Sequence, residues 1–180
     1  KKINTAIAGA TGYIGLELVK ILSKHPKVKL KFLCAQNSVG KSISKFNSSL
    51  KKYRNLPKIS NINTIDLNTI DVLFTALPNG EAQKIAKKVP EHIILIDLSA
   101  DFRLENFKEY EKWYNLKHQA KKLIKKSIYL LPELYSGDLK KFNIISCPGC
   151  YPTSIQLPLI PLIKKNYILK NSIIIDSKSG

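Results

Sequence analysis

The stretch INTAIAGATGYIGLELVKIL, residues 3–22, decides the fold. Ile3 to Ala8 reads as a buried strand, Gly9 to Gly15 as a turn, and Ile14, Leu18, Ile21 and Leu22 then fall on one face at helical spacing. Pro26 ends that helix. The glycines of the turn stand at its first, fourth and seventh positions. Gly9 allows a tight exit from the strand, Gly12 lets the backbone approach a pyrophosphate, and Gly15 lets the helix pack close to the sheet. The helix start beyond them offers free N–H groups and a partial positive charge to phosphates. Gly9, Ala10, Thr11, Gly12, Tyr13, Ile14 and Gly15 are therefore read as a dinucleotide-binding loop, the alternative being a plain glycine-rich turn.

Outward from this unit, strand-like apolar runs alternate with helix-like ones, the pattern of crossover units in a parallel sheet. Strands are expected at 28–35, 71–76, 93–98 and 142–147, with a last one at 173–177. A helix is expected over 80–88, and the aromatic, charged segment 105–126 reads as a pair of amphipathic helices. The polar stretch 36–57 reads as loop with one short helix. The fold class is α/β, a doubly wound Rossmann-like parallel sheet, with the domain boundary near Pro148. Residues 1–147 form the cofactor domain, and 148–180 the opening of an α+β catalytic domain that is truncated.

The dinucleotide is read at the end of the second strand. An NAD site places Asp or Glu there against the ribose 2′-hydroxyl. The stretch Ala35 to Lys41 holds neither and offers the Ser38 hydroxyl, amides and the Lys41 ammonium, which suits a 2′-phosphate, so NADP(H) is the expected cofactor. Taken alone, Ser38 and Lys41 also read as ordinary loop residues. Pro78, in Ala76 to Gly80, follows a strand at its carboxyl end, where such sheets bind ligands.

A second signal is CPGCYPT, residues 147–153. Pro148 and Gly149 turn the chain after a strand, and Pro152 falls in the first turn of the next helix, where a missing N–H costs nothing. Cys150 so placed has the surroundings of a nucleophile: a helix start that favours thiolate and backbone donors for an oxyanion. Two other readings stay open, a buried structural thiol and one half of a redox pair with Cys147.

Composition narrows the classes. The chain has 180 residues, 30 basic against 13 acidic, a net +17, which would ordinarily point to nucleic acid. But 28 of the 30 are Lys, only Arg54 and Arg103 being Arg, and Lys, Ile and Asn make up 65 residues spread over the whole chain. That bias looks like codon drift rather than a recognition surface, so no nucleic-acid partner is expected. One asymmetry survives: residues 1–60 hold 13 basic residues and a single acid, Glu17. No run reaches the 18 or so apolar residues of a spanning helix, and three cysteines are too few for a secreted disulfide framework. A cytoplasmic protein with no membrane partner and no metal site is expected.

Here a family resemblance enters. GATGYIG at 9–15, DLSADFR at 97–103, the stretch 110–118, Leu131-Pro132-Glu133 and above all PGCYPT at 148–153 stand in the order and spacing of N-acetyl-γ-glutamyl-phosphate reductases. The chain resembles the amino-terminal half of that family. PGCYPT also separates it from the related aspartate-semialdehyde dehydrogenases. The resemblance implies an acyl-phosphate substrate, a thioester on Cys150, hydride from NADPH, and a homo-oligomer when full length. Within its motifs Arg103 reads as a bidentate contact to a carboxylate or phosphate, the alternative being an internal ion pair with Asp101 or Glu105, and Glu133 as an acceptor for the substrate amide. The family's acid/base histidine lies beyond residue 180; His25, His92 and His118 do not match it. The 180-residue chain is therefore expected to bind cofactor without turnover. Four departures from the family stand out, the first being Leu130 in place of a Gly. Cys147 replaces an Asn and could join Cys150 in a disulfide, Asn79 replaces a His, and Pro158 predicts a kink or restart of the helix after Cys150.

Overall fold

The computed structural model describes residues 1–53 and 55–178; Arg54 and the last two residues lie outside the described ones. Seven strands form one sheet: β1 (Ile3–Ala8), β2 (Val28–Cys34), β3 (Ile59–Ser60), β4 (Val72–Thr75), β5 (Ile94–Asp97), β6 (Ser127–Tyr129) and β7 (Ile144–Ser146). Their order is β3-β2-β1-β4-β5-β7-β6, and every pairing is parallel. The α-helices are α1 (Tyr13–Leu22), α2 (Glu81–Ala86), α3 (Phe107–Tyr114) and α4 (Cys150–Lys164). The expected doubly wound parallel sheet is thus observed.

Strand β1 shows why both faces must be covered. Successive side chains of a strand point to opposite faces. Ala6 and Ala8 enter one apolar cluster, with Leu73, Leu95, Phe102 and Ile144, while Ile7 enters another with Val19 of α1, Leu33, Ile43 and Leu50. Such two-sided burial is the property of parallel sheets that makes their strands read as unbroken apolar runs. The chain reverses its direction of growth between β1 and β4, and at that switch point the carboxyl ends of the strands open a crevice.

Several expectations are corrected. Strand β3, of two residues, and β6, of three, carry too little pattern to be seen in sequence. The segment 105–126 forms one α-helix, α3, and then a 3-10 turn over Lys121–Lys126 rather than a second α-helix. The loop 36–57 contains two 3-10 turns, Ile43–Lys45 and Ser48–Lys52, instead of one short helix. Residues 173–177 are not a strand. They pair with no strand of the sheet, and Ile174 is 95% exposed. Helix α4 runs through both Pro158 and Pro161 without the expected restart. Its backbone ladder therefore lacks two N–H donors, a cost of about 3 kcal/mol per interior proline in an otherwise regular helix.

Candidate active site at the carboxyl edge of the sheet

The glycine loop is shaped by collisions it avoids. Gly9 has φ +85°, and a Cβ there would overlap the Ala76 carbonyl oxygen and lie 2.8 Å from the Ala76 carbonyl carbon. At Gly15 a Cβ would overlap the Gly9 carbonyl oxygen and come 2.7 Å from the Ala10 Cα. Gly12 faces open space apart from the Gly9 carbonyl at 3.5 Å. The loop is pinned by N–H bonds from Gly9 and Ala10 to the Cys34 carbonyl, 2.9 and 3.0 Å. Gly12 is the N-cap of α1 and no side chain caps the helix, whose first backbone bond runs from Leu16 N–H to the Gly12 carbonyl, 2.8 Å. The Gly12 N–H donates to the Gly9 carbonyl at 3.1 Å, and the N–H groups of Tyr13, Ile14 and Gly15, the first turn of α1, are left for a ligand.

The loop borders a cavity of about 1180 Å³, ample for a dinucleotide. Gly9, Thr11 and Gly12 line one side, Ala35 to Ser38 the end of β2, and Ala76 to Asn79 the end of β4. Ile62, Ile65 and Ile85 supply an apolar floor, and Lys84 and Lys88 are its cations. The fit to a dinucleotide is sound: a backbone that leaves no room for side chains, an uncapped helix start and a cavity at the switch point. Of the residues expected here, Ala10 and Gly15 are buried behind the loop, Tyr13 is 95% exposed and Ile14 half exposed, and none of these four side chains lines the cavity. Ser38 and Pro78 do. Lys41 does not. Its N–H donates to the Ser38 carbonyl, its own carbonyl accepts from the Ile59 N–H, and its side chain is exposed. Lys84 and Lys88 were not singled out in sequence, since nothing local distinguishes them from the other lysines. Lys84 is paired with Glu81 at 2.5 Å.

The second half of the edge is built by β5, β7 and β6. Gly149 is the N-cap of α4 and Cys150 its first residue, exposed, with no side chain capping the helix. The buried-thiol reading of Cys150 is therefore set aside. Cys34, Cys147 and Cys150 are all free thiols, and the disulfide open to Cys147 and Cys150 is not formed in this structure. Burial pushes the Cys147 thiol up, the nearby Asp97 adds to this, and Arg103 opposes it. Burial alone drives Cys34 up to about 12. A thiol so raised is a poor nucleophile, because the thiolate is the reactive form.

Arg103 reaches across to this turn. Its Nε donates to the Cys147 carbonyl at 2.9 Å and its Nη2 to the Leu98 carbonyl at 3.1 Å, while Nη1 lies 3.0 Å from where a Gly149 Cβ would stand. Among the described residues Arg103 makes no ion pair, so pairing with Asp101 or Glu105 is not its role. Glu133 sits exposed in the 3-10 turn after β6, whose Tyr129 is in register with Ser146 of β7. Arg103, Cys150 and Glu133 thus follow the carboxyl ends of three adjacent strands. His118 is away from this edge functionally: buried, it bonds the Asp101 carbonyl through Nε2 at 2.8 Å and accepts the Ala120 N–H at Nδ1, 3.2 Å. Burial lowers its pKa.

A glycine loop, an uncapped helix and a switch-point cavity define a Rossmann-type dinucleotide-binding protein with a cysteine-headed helix at the same sheet edge. The chain belongs to the semialdehyde dehydrogenase family: residues 4–142 match its NAD-binding domain and residues 150–180 its dimerisation domain. It is 42% identical, over 99% of its length, to the N-acetyl-gamma-glutamyl-phosphate reductase of Ehrlichia canis and covers 51% of that protein. The Clostridium novyi reductase is 44% identical over 99% of the chain, which covers 52% of it. The probable chloroplastic reductase of Arabidopsis thaliana is 42% identical over the whole chain, 45% of that protein. The resemblance drawn from the motifs is borne out, and the chain spans about half the length of the curated relatives it matches. Among solved structures, aspartate semialdehyde dehydrogenase with NADP from Candida albicans superposes with a TM-score of 0.68 at 20% identity, covering 92% of this chain and 48% of that one. Aspartate semialdehyde dehydrogenase II from Vibrio cholerae gives 0.63 at 20% identity, covering 91% of this chain and 47% of that one. At that identity the likeness concerns the fold. No helix among the described residues is long and apolar enough to cross a membrane.

Proposed function

We propose that this chain is the cofactor-binding part, with the nucleophile-bearing start of the catalytic domain, of an NADPH-dependent N-acetyl-γ-glutamyl-phosphate reductase of arginine biosynthesis. The observation that carries the reading is Cys150: exposed, first in an uncapped helix, directly after the turn whose Cys147 carbonyl the Arg103 guanidinium holds, on the sheet edge that also bears the glycine loop. The relatives' names and the family match support it.

In this reading the Cys150 thiolate attacks the acyl carbon of the phosphorylated substrate, the carbon–oxygen bond to phosphate breaks, and a thioester remains on Sγ. NADPH, when bound, supplies hydride to that carbon. The backbone N–H groups at the start of α4 stabilise the oxyanion of each tetrahedral state, and collapse of the thiohemiacetal returns the thiolate and releases the semialdehyde. Gly9, Thr11 and Gly12, with the uncapped start of α1, hold the pyrophosphate; Ser38 faces the 2′-phosphate; Pro78 closes the nicotinamide side. Arg103 binds an anionic group of the substrate and Glu133 its amide. We place the domain boundary at Pro148, between the two matched family segments. The full-length protein is a homo-oligomer, acting in the cytoplasm, where three free thiols are stable.

The test is alkylation of Cys150. NADPH should protect it in a saturable manner, whereas salt-sensitive retention on DNA without such protection would favour a basic nucleic-acid-associated protein instead. Turnover of the acyl phosphate by the purified 180-residue chain would overturn the expectation that it binds cofactor only.

A further inference from the structure

The turn after β5, residues 98–103, is buried between the two halves of the site and touches both. Asp101, 1% exposed, is at its centre. Its Oδ1 accepts the Gly80 N–H at 2.7 Å and the Tyr110 hydroxyl at 2.7 Å, and its Oδ2 accepts the Gln83 N–H at 3.2 Å. Gly80 and Gln83 are the N-cap and third residue of α2, so a carboxylate from another part of the chain does the work that a capping side chain normally does. Gly80 itself, at φ +90°, has no side chain to offer.

The next residues upstream tighten the same join. Asn79, which lines the cavity, accepts the Ala100 N–H at Oδ1, 3.3 Å. Ser99 Oγ accepts the Asp101 N–H at 3.2 Å and donates to the buried Asp97, which also receives the Thr75 hydroxyl from the end of β4. Downstream, the turn delivers the Arg103 guanidinium to the Cys147 carbonyl. The wall of the cavity at Leu77 to Asn79 is therefore held by the turn behind it, through the Asp101 carboxylate, which has no surface in the cavity, and through the bond of Asn79 itself to Ala100.

We propose that Asp101 is a positioning residue for cofactor binding: its carboxylate fixes the entry to α2 at Gly80 and with it the preceding Leu77–Asn79 wall against which the dinucleotide lies. This rests on the cofactor reading above. All three groups facing the carboxylate are donors, so Asp101→Asn must set its NH₂ against one of them. That change keeps volume and breaks the cap, a loss typically worth a factor of ten.

The experiment is titration of the purified chain with NADPH, read by cofactor fluorescence, for wild type, Asp101→Asn and Tyr110→Phe, each with a urea melt. Tyr110→Phe removes one donor to Oδ1 but leaves α2 capped. Asp101→Asn should raise the NADPH Kd about tenfold, while Tyr110→Phe loses stability and keeps Kd within about twofold. Equal weakening by both variants, or an unchanged Kd in folded Asp101→Asn, would overturn the assignment and leave Asp101 a stabilising residue only. Wild type failing to bind NADPH at all would instead remove the cofactor reading itself. Should Asp101→Asn not fold, amide exchange in the wild type decides: Gly80 and Gln83 should gain protection on adding NADPH, and unchanged exchange at both refutes the role.

Discussion

The two halves of the sheet edge are made in opposite ways. Around β2, β1 and β4, backbone lies directly on backbone, and the glycines are there because nothing larger fits. Around β5, β7 and β6, the CPGC turn is held by one long side chain, Arg103, and α4 beyond it has no buried residue at all. The first half is a close-packed cradle in which the glycine loop abuts Ala76 and is pinned to the Cys34 carbonyl. The second is open, its apolar side chains on α4 only partly covered. Phosphate binding needs fixed N–H groups, whereas a nucleophile needs access, and the contrast follows those needs.

The contrast is most severely tested by Gly15→Ala. Its Cβ has only backbone to meet, so the variant should lose about 3 kcal/mol or more in urea unfolding, together with NADPH binding. A loss near zero would mean the cradle can relax. Gly149→Ala is the matching change in the other half, and there the neighbour is the Arg103 guanidinium at 3.0 Å, which can move. About 1 kcal/mol or less should be lost, with the larger effect on Cys150 alkylation rate. Comparable losses at Gly15 and Gly149 would erase the distinction.

Lowering pH probes the packing between the halves. His118 is kept below its ordinary value of 6.5, first by burial, so the unfolded chain takes up the proton before the folded one. Its contribution is intact above pH 6.5 and declines as pH falls below that value, with the stability rising with pH in that window. Urea melts between pH 7.5 and 5.5 would check this, and a slope unchanged in His118→Asn would assign the effect elsewhere. The smallest stability effect should be that of Cys150→Ser, within about 0.5 kcal/mol because the thiol is exposed. That variant should nonetheless lose the fastest-alkylating thiol, with Cys147 slower and Cys34 inert in the folded chain.

Much of this edge could be read from residues 3–22 and 147–153, because both motifs carry their reasons locally. A strand, a tight turn and an amphipathic face suffice for the first, and a turn with a helix start for the second. Strand β6 escaped because three residues, Ser127 to Tyr129, carry no period; it forms only because β7 offers an edge. The opposite error, a strand at 173–177, came from an apolar run that pairs with neither edge of the sheet. Lys41 was expected at the cavity because it follows the second strand in a stretch without acids, yet it is exposed and does not line the cavity. Lys84 and Lys88 reach the cavity from α2 and the residues after it, more than 40 positions from Ser38.

Left to itself, the chain's order of residues settles the parallel α/β class, the phosphate loop and the cysteine at a helix start, since steric limits and hydrophobic period act over a few neighbours. Which side chains converge is a matter of long-range placement. Asp101 meets Gly80 and Gln83, and Arg103 meets Cys147, only once β4, β5 and β7 lie side by side. Burial then turns these meetings into obligations, because a carboxylate or an N–H removed from water must find its partner wherever the fold has put it.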